Sequence, residues 1–316
     1  LNEKYIKQLV GVDYALKVVI VGAGAIGLLI GSYLSERNHE ITYITRSTVQ
    51  AEKLRLQGIT LIQPNSEKVN RQVQAFADFG QAPTEALWIV AVKYHQLTNI
   101  EEELQSLPLS TTLVFVQNGL AHLQWINRLK HQQIYIATIE HGAVKQDATT
   151  VLHKGVGLTK IAPHIMTSKA PIDISIFQTP FFQSEMVEDA YNIVLRKVVL
   201  NACINPITAI LQIKNGELIT NSHAFHLMKS IFEEILLSFP EISQTLTFED
   251  VKGLCVKTSQ NYSSMLQDRL NHRKSEIESI VGVLLQMAAT KERDLPLLRT
   301  LYYLVLAIDE KGESFE

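Results

Sequence analysis

Residues 17 to 46 constrain the fold of this chain more than any other stretch. They run as an apolar strand, KVVIVGAGAIG, then a helix-like segment, then a second strand, EITYITRS, which closes on Arg46. Gly22, Gly24 and Gly27 match G-x-G-x-x-G, a pattern in which each glycine has its own physical task. Gly22 permits the tight strand-to-helix turn, Gly24 lets the backbone approach a diphosphate, and Gly27 lets helix pack close on strand. A dinucleotide would lay its diphosphate along Gly22, Ala23, Gly24, Ala25, Ile26 and Gly27, at a helix N-terminus that favours an anion. Folds of this kind often carry Asp or Glu for a free ribose 2′-hydroxyl about 20 residues on. Arg46 stands there instead, and a guanidinium suits a 2′-phosphate. An NADP site is expected.

Composition narrows the class further. At 316 residues the chain can form about two domains, each burying its own core. Apolar residues at 46% and charged residues at 19% fit a globular enzyme and exclude a disordered chain. The net charge of −3 gives no reason to expect nucleic acid or an anionic membrane as partner. Cys203 and Cys255 both sit among apolar neighbours, so no disulfide framework is expected and a reducing cytoplasm fits. The longest apolar run, Val18 to Gly31, is shorter than a membrane span. Residues 1–16 precede the organised pattern as an extension whose status the sequence leaves open.

The first half alternates strand and helix. Ile41 to Thr45 alternates in strand fashion, while LWIVAV (87–92), LVFV (113–116) and 134–139 are continuous apolar runs, as expected for strands buried on both faces. Polar residues follow two of them: Lys93-Tyr94-His95-Gln96 and Gln117-Asn118-Gly119. Ligands of open α/β sheets bind beyond the carboxyl ends of strands, so contacts are expected there. From Val151 to Pro163, with Gly155 and Gly157 as punctuation, the pattern predicts paired strands. Beyond about residue 186 helical spacing takes over, with Phe225, Leu227, Met228, Ile231, Phe232, Ile235 and Leu236 recurring on one face. Segments 247–268, 275–292 and 295–310 are expected to be helices. The expected architecture is an α/β Rossmann-type dinucleotide-binding domain over 17–185, followed by an all-helical domain over 186–316, with a small ligand between them.

Three polar constellations could carry chemistry. In RKVVLNACINP, Lys197, Asn201 and Asn205 fall at i, i+4 and i+8, one polar stripe on an otherwise apolar helix. Such a stripe is often a solvated surface, yet surface stripes usually carry several charges and this one carries asparagines. Buried polar groups need partners, so the stripe must face polar ligand, water or itself. Pro206 follows Asn205 directly and should disfavour helical geometry there, loosening or kinking the turn. In NYSSMLQDRLNHRKSEIES, Ser264 and Asp268 share a helix face, and Ser275 with Glu278 fits a capping box that would put Glu276 in a first helical turn. Asn215-Gly216-Glu217 is by itself a turn. His95 and His141 could serve as acids, but no metal-ligand spacing accompanies them and no metal site is expected.

These stretches together resemble the ketopantoate reductase family, from about Lys17 to the C-terminus. The resemblance is carried by GAGAIG, VKYHQ, QNG, EHGAV, LRKVVLNACINPITA, KNGEL and SSMLQD…SEIE. It implies NADPH-dependent reduction of 2-dehydropantoate to pantoate, a step of coenzyme A biosynthesis. It assigns Lys197 as proton donor, with Glu276 as its catalytic companion. Substrate contacts are implied at Asn118, Asn201, Asn205, Asn215 and Ser264. Cofactor contacts are implied at the glycine loop, Arg46, Lys93, Gln96, Asn118, Ala143 and Glu276. Two departures stand out: Glu278 and Val281 fall near the family's Asp-x-x-x-Gly, and Glu140 replaces a hydroxyl residue found in some members. The partner is then a small 2-oxo acid. A homodimer is left open, since oligomeric state is not written in the chain. Two rivals remain, a related reductase of another 2-oxo acid and a non-catalytic NADP-sensing module. A pure sensor would not need Lys197, Asn201, Asn205, Ser264 and Glu276 together.

Overall fold

The computed structural model describes residues 15–167 and 171–313; residues 1–14, most of the expected extension, lie outside the described residues. The chain forms two compact units. One holds the residues up to Gln117 and Leu129–Ala190, the other Asn118–Arg128 and Tyr191–Glu316. The single division expected at 185/186 therefore changes in two ways. The helical unit starts at Tyr191, and it takes 118–128 out of the first half.

The first unit carries the strands β1 (Lys17–Val21), β2 (Glu40–Ile44), β3 (Ile59–Ile62), β4 (Lys68–Arg71), β5 (Gln74–Phe76), β6 (Leu87–Val90), β7 (Thr112–Phe115), β8 (Gln133–Ile139), β9 (Gly142–Lys145), β10 (Thr150–Gly155), β11 (Leu158–Met166) and β12 (Gln183–Met186). In the large sheet, β5-β2-β1-β6-β7-β8 run parallel, and β11 joins β8 antiparallel with β12 at the edge. This is the Rossmann strand order, which reverses between β1 and β6 and opens a crevice at their carboxyl ends. Apolar runs without alternation form these strands because both faces of the sheet are covered. A small sheet, β4-β3-β10-β9, lies on the other side of helix α1 (Ala25–Glu36). That placement explains why AIGLLIGSYL is apolar all round: α1 packs on β1 and β2 and also on β3, β9 and β10. Helices α2 (Thr48–Gln57) and α3 (Glu101–Ser106) and short 3-10 turns, among them Tyr94–Ile100, also belong to this unit.

Val151 to Pro163 does contain two strands, but they do not pair with each other. β10 pairs with β3 and β9, whereas β11 pairs with β8 and β12. Gly157, just before β11, passes so near the Glu140 carbonyl that a Cβ would collide with it.

Three buried rings tie α1 to the small sheet. The Gly157 N–H donates to His141 Nδ1 at 3.2 Å, so His141 Nδ1 is an acceptor. His153 Nε2 then donates towards it (3.1 Å) and towards Gly155 O (2.9 Å), which leaves His153 Nδ1 to accept from the Tyr33 hydroxyl at 2.6 Å. One proton order accounts for these hydrogen bonds in sequence. Phe182 stacks on Tyr33 and on His141. His141, a candidate acid in the sequence, is thus a structural residue of this network.

The second unit is helical: α4 (Ala121–Ile126), α5 (Ala190–Leu211), α6 (Glu217–Thr220), α7 (Ser222–Ser238), α8 (Phe248–Lys257), α9 (Ser264–Leu270), α10 (Val283–Thr290) and α11 (Pro296–Glu313). Helix α5 continues through Pro206 rather than breaking there. It is also long and apolar enough to cross a membrane, but 67% of its most apolar window is buried within the protein, as in a core helix. The helix expected over 247–268 is two. Ser263 caps α9 by accepting from Leu266 N–H at 3.1 Å, and Thr258 ends α8. Before α10 comes one π turn over Glu278–Gly282. The capping box expected there does not form. Ser275 Oγ donates to Asp309 at 2.7 Å, and Glu278 accepts from the Tyr302 hydroxyl at 2.7 Å. Long-range partners outcompeted the local ones.

Burial lowers the pKa of His153, opposed by the Gly155 carbonyl, and burial also lowers those of His131 and His164. Their ordinary value is 6.5, so below it the unfolded chain takes up protons that the folded protein refuses. Their contribution to stability is whole above that value and declines as pH falls towards the lowered folded-state values. The urea midpoint should fall between about pH 7 and pH 5.5, and fall less in His153→Gln. An identical fall in both proteins would remove His153 from this linkage.

Candidate functional site

The residues expected to hold a nucleotide lie at the carboxyl ends of β1 and β6 and nearby in the first unit. Gly22 takes φ +106° and its N–H donates to Ile44 O at 2.8 Å, which turns the chain off β1. A Cβ on Gly27 would collide with the Gly22 carbonyl, so only glycine lets α1 start this close to the strand. Before Gly24 the space is open: a Cβ would meet nothing within 4 Å. Gly24 is the N-cap of α1, no side chain caps the helix, and no acid stands in its first turn. Ala23 is buried, and Ala25 and Ile26 are half-buried. Uncapped amides, an open approach and no competing carboxylate fit an anionic diphosphate.

Arg46 is exposed just beyond β2, where Thr45 Oγ1 donates to Ser47 O at 2.8 Å and Ser47 caps α2. Its guanidinium is free of burial constraints that would stop it meeting a 2′-phosphate. Lys93 and Gln96 are half-buried in the turn after β6. Gln96 Oε1 accepts from Lys93 N–H at 3.1 Å, so this side chain also closes its own turn. Ala143 lies half-buried on β9, opposite His153. Two residues unmarked by sequence reasoning meet the loop as well: Lys145 Nζ and Gln50 Nε2 both donate to Ala23 O. The one sequence signal was Lys145 standing two places after Ala143.

The second unit gathers the remaining candidates. Lys197 and Asn201 are half-buried on α5, and Asn205, one turn on, is only 5% exposed. Asn205 Nδ2 donates to Ser264 Oγ at 3.3 Å, which ties the stripe to an exposed serine at the start of α9. Beside it, Thr208 Oγ1 donates to Ser263 Oγ at 2.8 Å, a buried pair that fixes α5 against α9. Asn215 is 8% exposed, and its Nδ2 donates to Thr258 Oγ1 at 2.9 Å. Its Oδ1 is buried with no partner among the described residues, so this amide can still accept a hydrogen bond.

Asn118 Nδ2 donates to Glu276 Oε2 at 3.1 Å. Gly119 makes this approach feasible, since with φ +92° it turns directly against the Ser279 carbonyl, where a Cβ would collide. Ser279 Oγ in turn donates to Glu276 O at 3.1 Å. Glu276 thus sits before the π turn rather than in the first turn of a helix. The family-like spacing after it runs from Glu278 to Gly282, not to Val281, and a Cβ on Gly282 would press on Glu278 and Tyr302. Glu140 is exposed at the end of β8. Among the described residues no group of three or more His, Cys, Asp or Glu could hold a metal ion.

Comparison with known proteins follows this geometry. A family profile described as "Ketopantoate reductase PanE/ApbA" matches residues 18–165, and its C-terminal counterpart matches residues 189–309. A 2-dehydropantoate 2-reductase from Listeria monocytogenes is 36% identical over 302 residues, covering 95% of this chain and 98% of that protein. The crystal structure of a probable 2-dehydropantoate 2-reductase from Bacillus subtilis superposes with a TM-score of 0.80 at 33% identity, covering 93% of this chain and 100% of that one. D-mandelate dehydrogenase, solved with NADH and anilino(oxo)acetate, shares the fold at a TM-score of 0.82 with 21% identity, covering 94% of this chain and 100% of that one.

The two adjacent serines separate support from function. Ser263→Ala removes a helix cap and a buried partner of Thr208, and should cost about 1 kcal/mol of unfolding free energy. Ser264→Ala should change stability by less than about 0.5 kcal/mol. Denaturant unfolding of both variants checks this, and the reverse ranking would exchange their roles.

Proposed function

The chain belongs to the ketopantoate reductase family, and from that premise we propose that it reduces 2-dehydropantoate to pantoate with NADPH. The observation that carries this reading is the row Lys197, Asn201 and Asn205 on α5, joined to Ser264 by the Asn205 amide. A nicotinamide cofactor, when bound, supplies the hydride that reduces the keto carbon. Negative charge then grows on the carbonyl oxygen, and a protonated Lys197 meets it, first by electrostatics and then by giving its proton. The products balance as one hydride on carbon and one proton on oxygen.

Asn201 and Asn205 donate from planar amides and orient the substrate. Ser264 keeps its own hydroxyl proton while accepting from Asn205, so it can donate to a carboxylate. Glu276, held by Asn118, offers a carboxylate oxygen to a hydroxyl of substrate or ribose. The buried Asn215 Oδ1 is a further acceptor for a substrate hydroxyl. On the cofactor side the diphosphate belongs on the Gly22–Gly27 loop, with Arg46 at the 2′-phosphate and Lys93, Gln96 and Ala143 beside it.

A 2-oxo acid of another shape is the second reading, because the same fold serves D-mandelate dehydrogenase. NADPH oxidation across a panel of 2-oxo acids decides, with 2-dehydropantoate expected to give the highest kcat/KM. A better substrate elsewhere in the panel would replace the assignment.

Lys197→Ala should lower turnover about 100- to 10,000-fold while NADPH affinity changes little, and Lys197→Arg should rescue poorly because guanidinium releases its proton reluctantly. Turnover within a few-fold of the parent would make Lys197 a bystander. Arg46→Asp should erode a preference for NADPH over NADH that a charge-assisted pair sets at roughly 10- to 150-fold. Equal kcat/KM with both cofactors in the parent would refute the 2′-phosphate role.

A further inference from the structure

The carbonyl of Ala23, in the middle of the glycine loop, is held from outside by two side chains. Lys145 Nζ donates to it at 2.9 Å and Gln50 Nε2 at 3.0 Å. The same Gln50 nitrogen donates to Ala148 O at 2.8 Å, so both of its hydrogens are used. Lys145 ends β9, Ala148 lies in the turn to β10, and Gln50 stands in the first turn of α2, where its N–H meets the Ser47 hydroxyl. The β9–β10 turn is itself fixed. The Asp147 carboxylate accepts from the N–H groups of Thr149 and Thr150, each at 2.8 Å.

Two donors occupy both lone pairs of the Ala23 oxygen, and one of them is an ammonium, which makes the stronger kind of bond. In a planar trans peptide the carbonyl of Ala23 and the N–H of Gly24 point in opposite directions. Fixing the carbonyl therefore aims the Gly24 amide the other way, and the space around Gly24 is open. The ammonium also stands one peptide unit behind that amide, where its charge adds to the attraction of the α1 N-terminus for an anion.

On the cofactor reading given above, we propose that Lys145 and Gln50 are positioning residues for the cofactor diphosphate, locking the Ala23–Gly24 peptide so that the Gly24 amide faces it. Neither residue belongs to the glycine motif. Gln50 lies four places after Arg46, so one short segment serves both the 2′-phosphate and the loop that holds the diphosphate.

The test is equilibrium binding, by calorimetry, of two probes to the parent, Lys145→Met, Lys145→Arg and Gln50→Leu. NADPH carries the diphosphate; adenosine 2′-monophosphate carries only the phosphate assigned to Arg46. Lys145→Met should weaken NADPH about tenfold or more and leave adenosine 2′-monophosphate within about twofold. Gln50→Leu should act in the same direction, and Lys145→Arg should recover much of the NADPH affinity. NADPH binding within about twofold of the parent in Lys145→Met overturns the proposal. So does an equal loss of both probes, which would mean general damage to the unit. A parent that binds no NADPH overturns the cofactor reading itself, and the clamp with it.

Discussion

Helix α1 approaches β1 more closely than any residue with a side chain would allow at Gly27, and much of the first unit follows from that contact. Because the helix starts against the Gly22 carbonyl, its first amides are aimed past the end of the strand rather than into solvent at large. Its far side then needs cover, since Leu28, Leu29, Ile30, Tyr33 and Leu34 leave no polar face. The small sheet supplies that cover, and the Tyr33–His153–His141 row anchors it with hydrogen bonds. A single apolar helix is thereby closed on two sides, and the loop at its start inherits the rigidity of both sheets.

The helical unit solves the opposite problem, that of keeping polar groups within an apolar helix. Buried polar groups keep partners, and the Asn205 amide finds one in the Ser264 hydroxyl at the start of α9. The other faces of α5 show what happens where no polarity is wanted. Cys203 packs there in the core, and burial pushes its thiol well above the ordinary range; Cys255, which donates weakly to the Met228 sulfur, is pushed up to about 12. Both therefore stay protonated and act as small apolar residues. On α5 the line Lys197, Asn201 and Asn205 holds the candidate chemistry, while Arg196, off that line, pairs with Asp250 at 3.1 Å.

What the sequence revealed was whatever depends on near neighbours in the chain. Lys197, Asn201 and Asn205 share a face because helical periodicity alone places them there, and the glycine loop is recognisable because each glycine answers a local steric demand. The inner strands β1, β2, β6, β7 and β8 were visible as apolar runs, whereas the short edge strands β5 and β12, QAF and QSEM, carried no such signal. The misses have the opposite character. Ser275 and Glu278 had the spacing of a capping box, but Asp309 and Tyr302, 34 and 24 residues away, claimed their side chains. Tyr33 and His153 are separated by 120 positions and nothing in either neighbourhood announces the other. The paired strands expected from Val151 to Pro163 went to different sheets, a choice set by β3 and β8. Lys145 is of the same kind, since its ammonium reaches the Ala23 carbonyl 122 residues away.

The backbone passes from one unit to the other after Gln117, returns after Arg128 and leaves again after Ala190. Leu123, Trp125 and Ile126 of α4 are buried in the helical unit although they stand in the chain between two segments of the other unit. A gene fusion that exchanged the C-terminal part at one crossover would carry the new helices to a chain whose α4 was shaped for the old ones. The mismatch would fall on the segment that holds Asn118 and Gly119 against Glu276 and Ser279. Shuffling such a protein needs two coordinated cuts or compensating changes in α4, because the helical unit is written in two separate stretches of the chain.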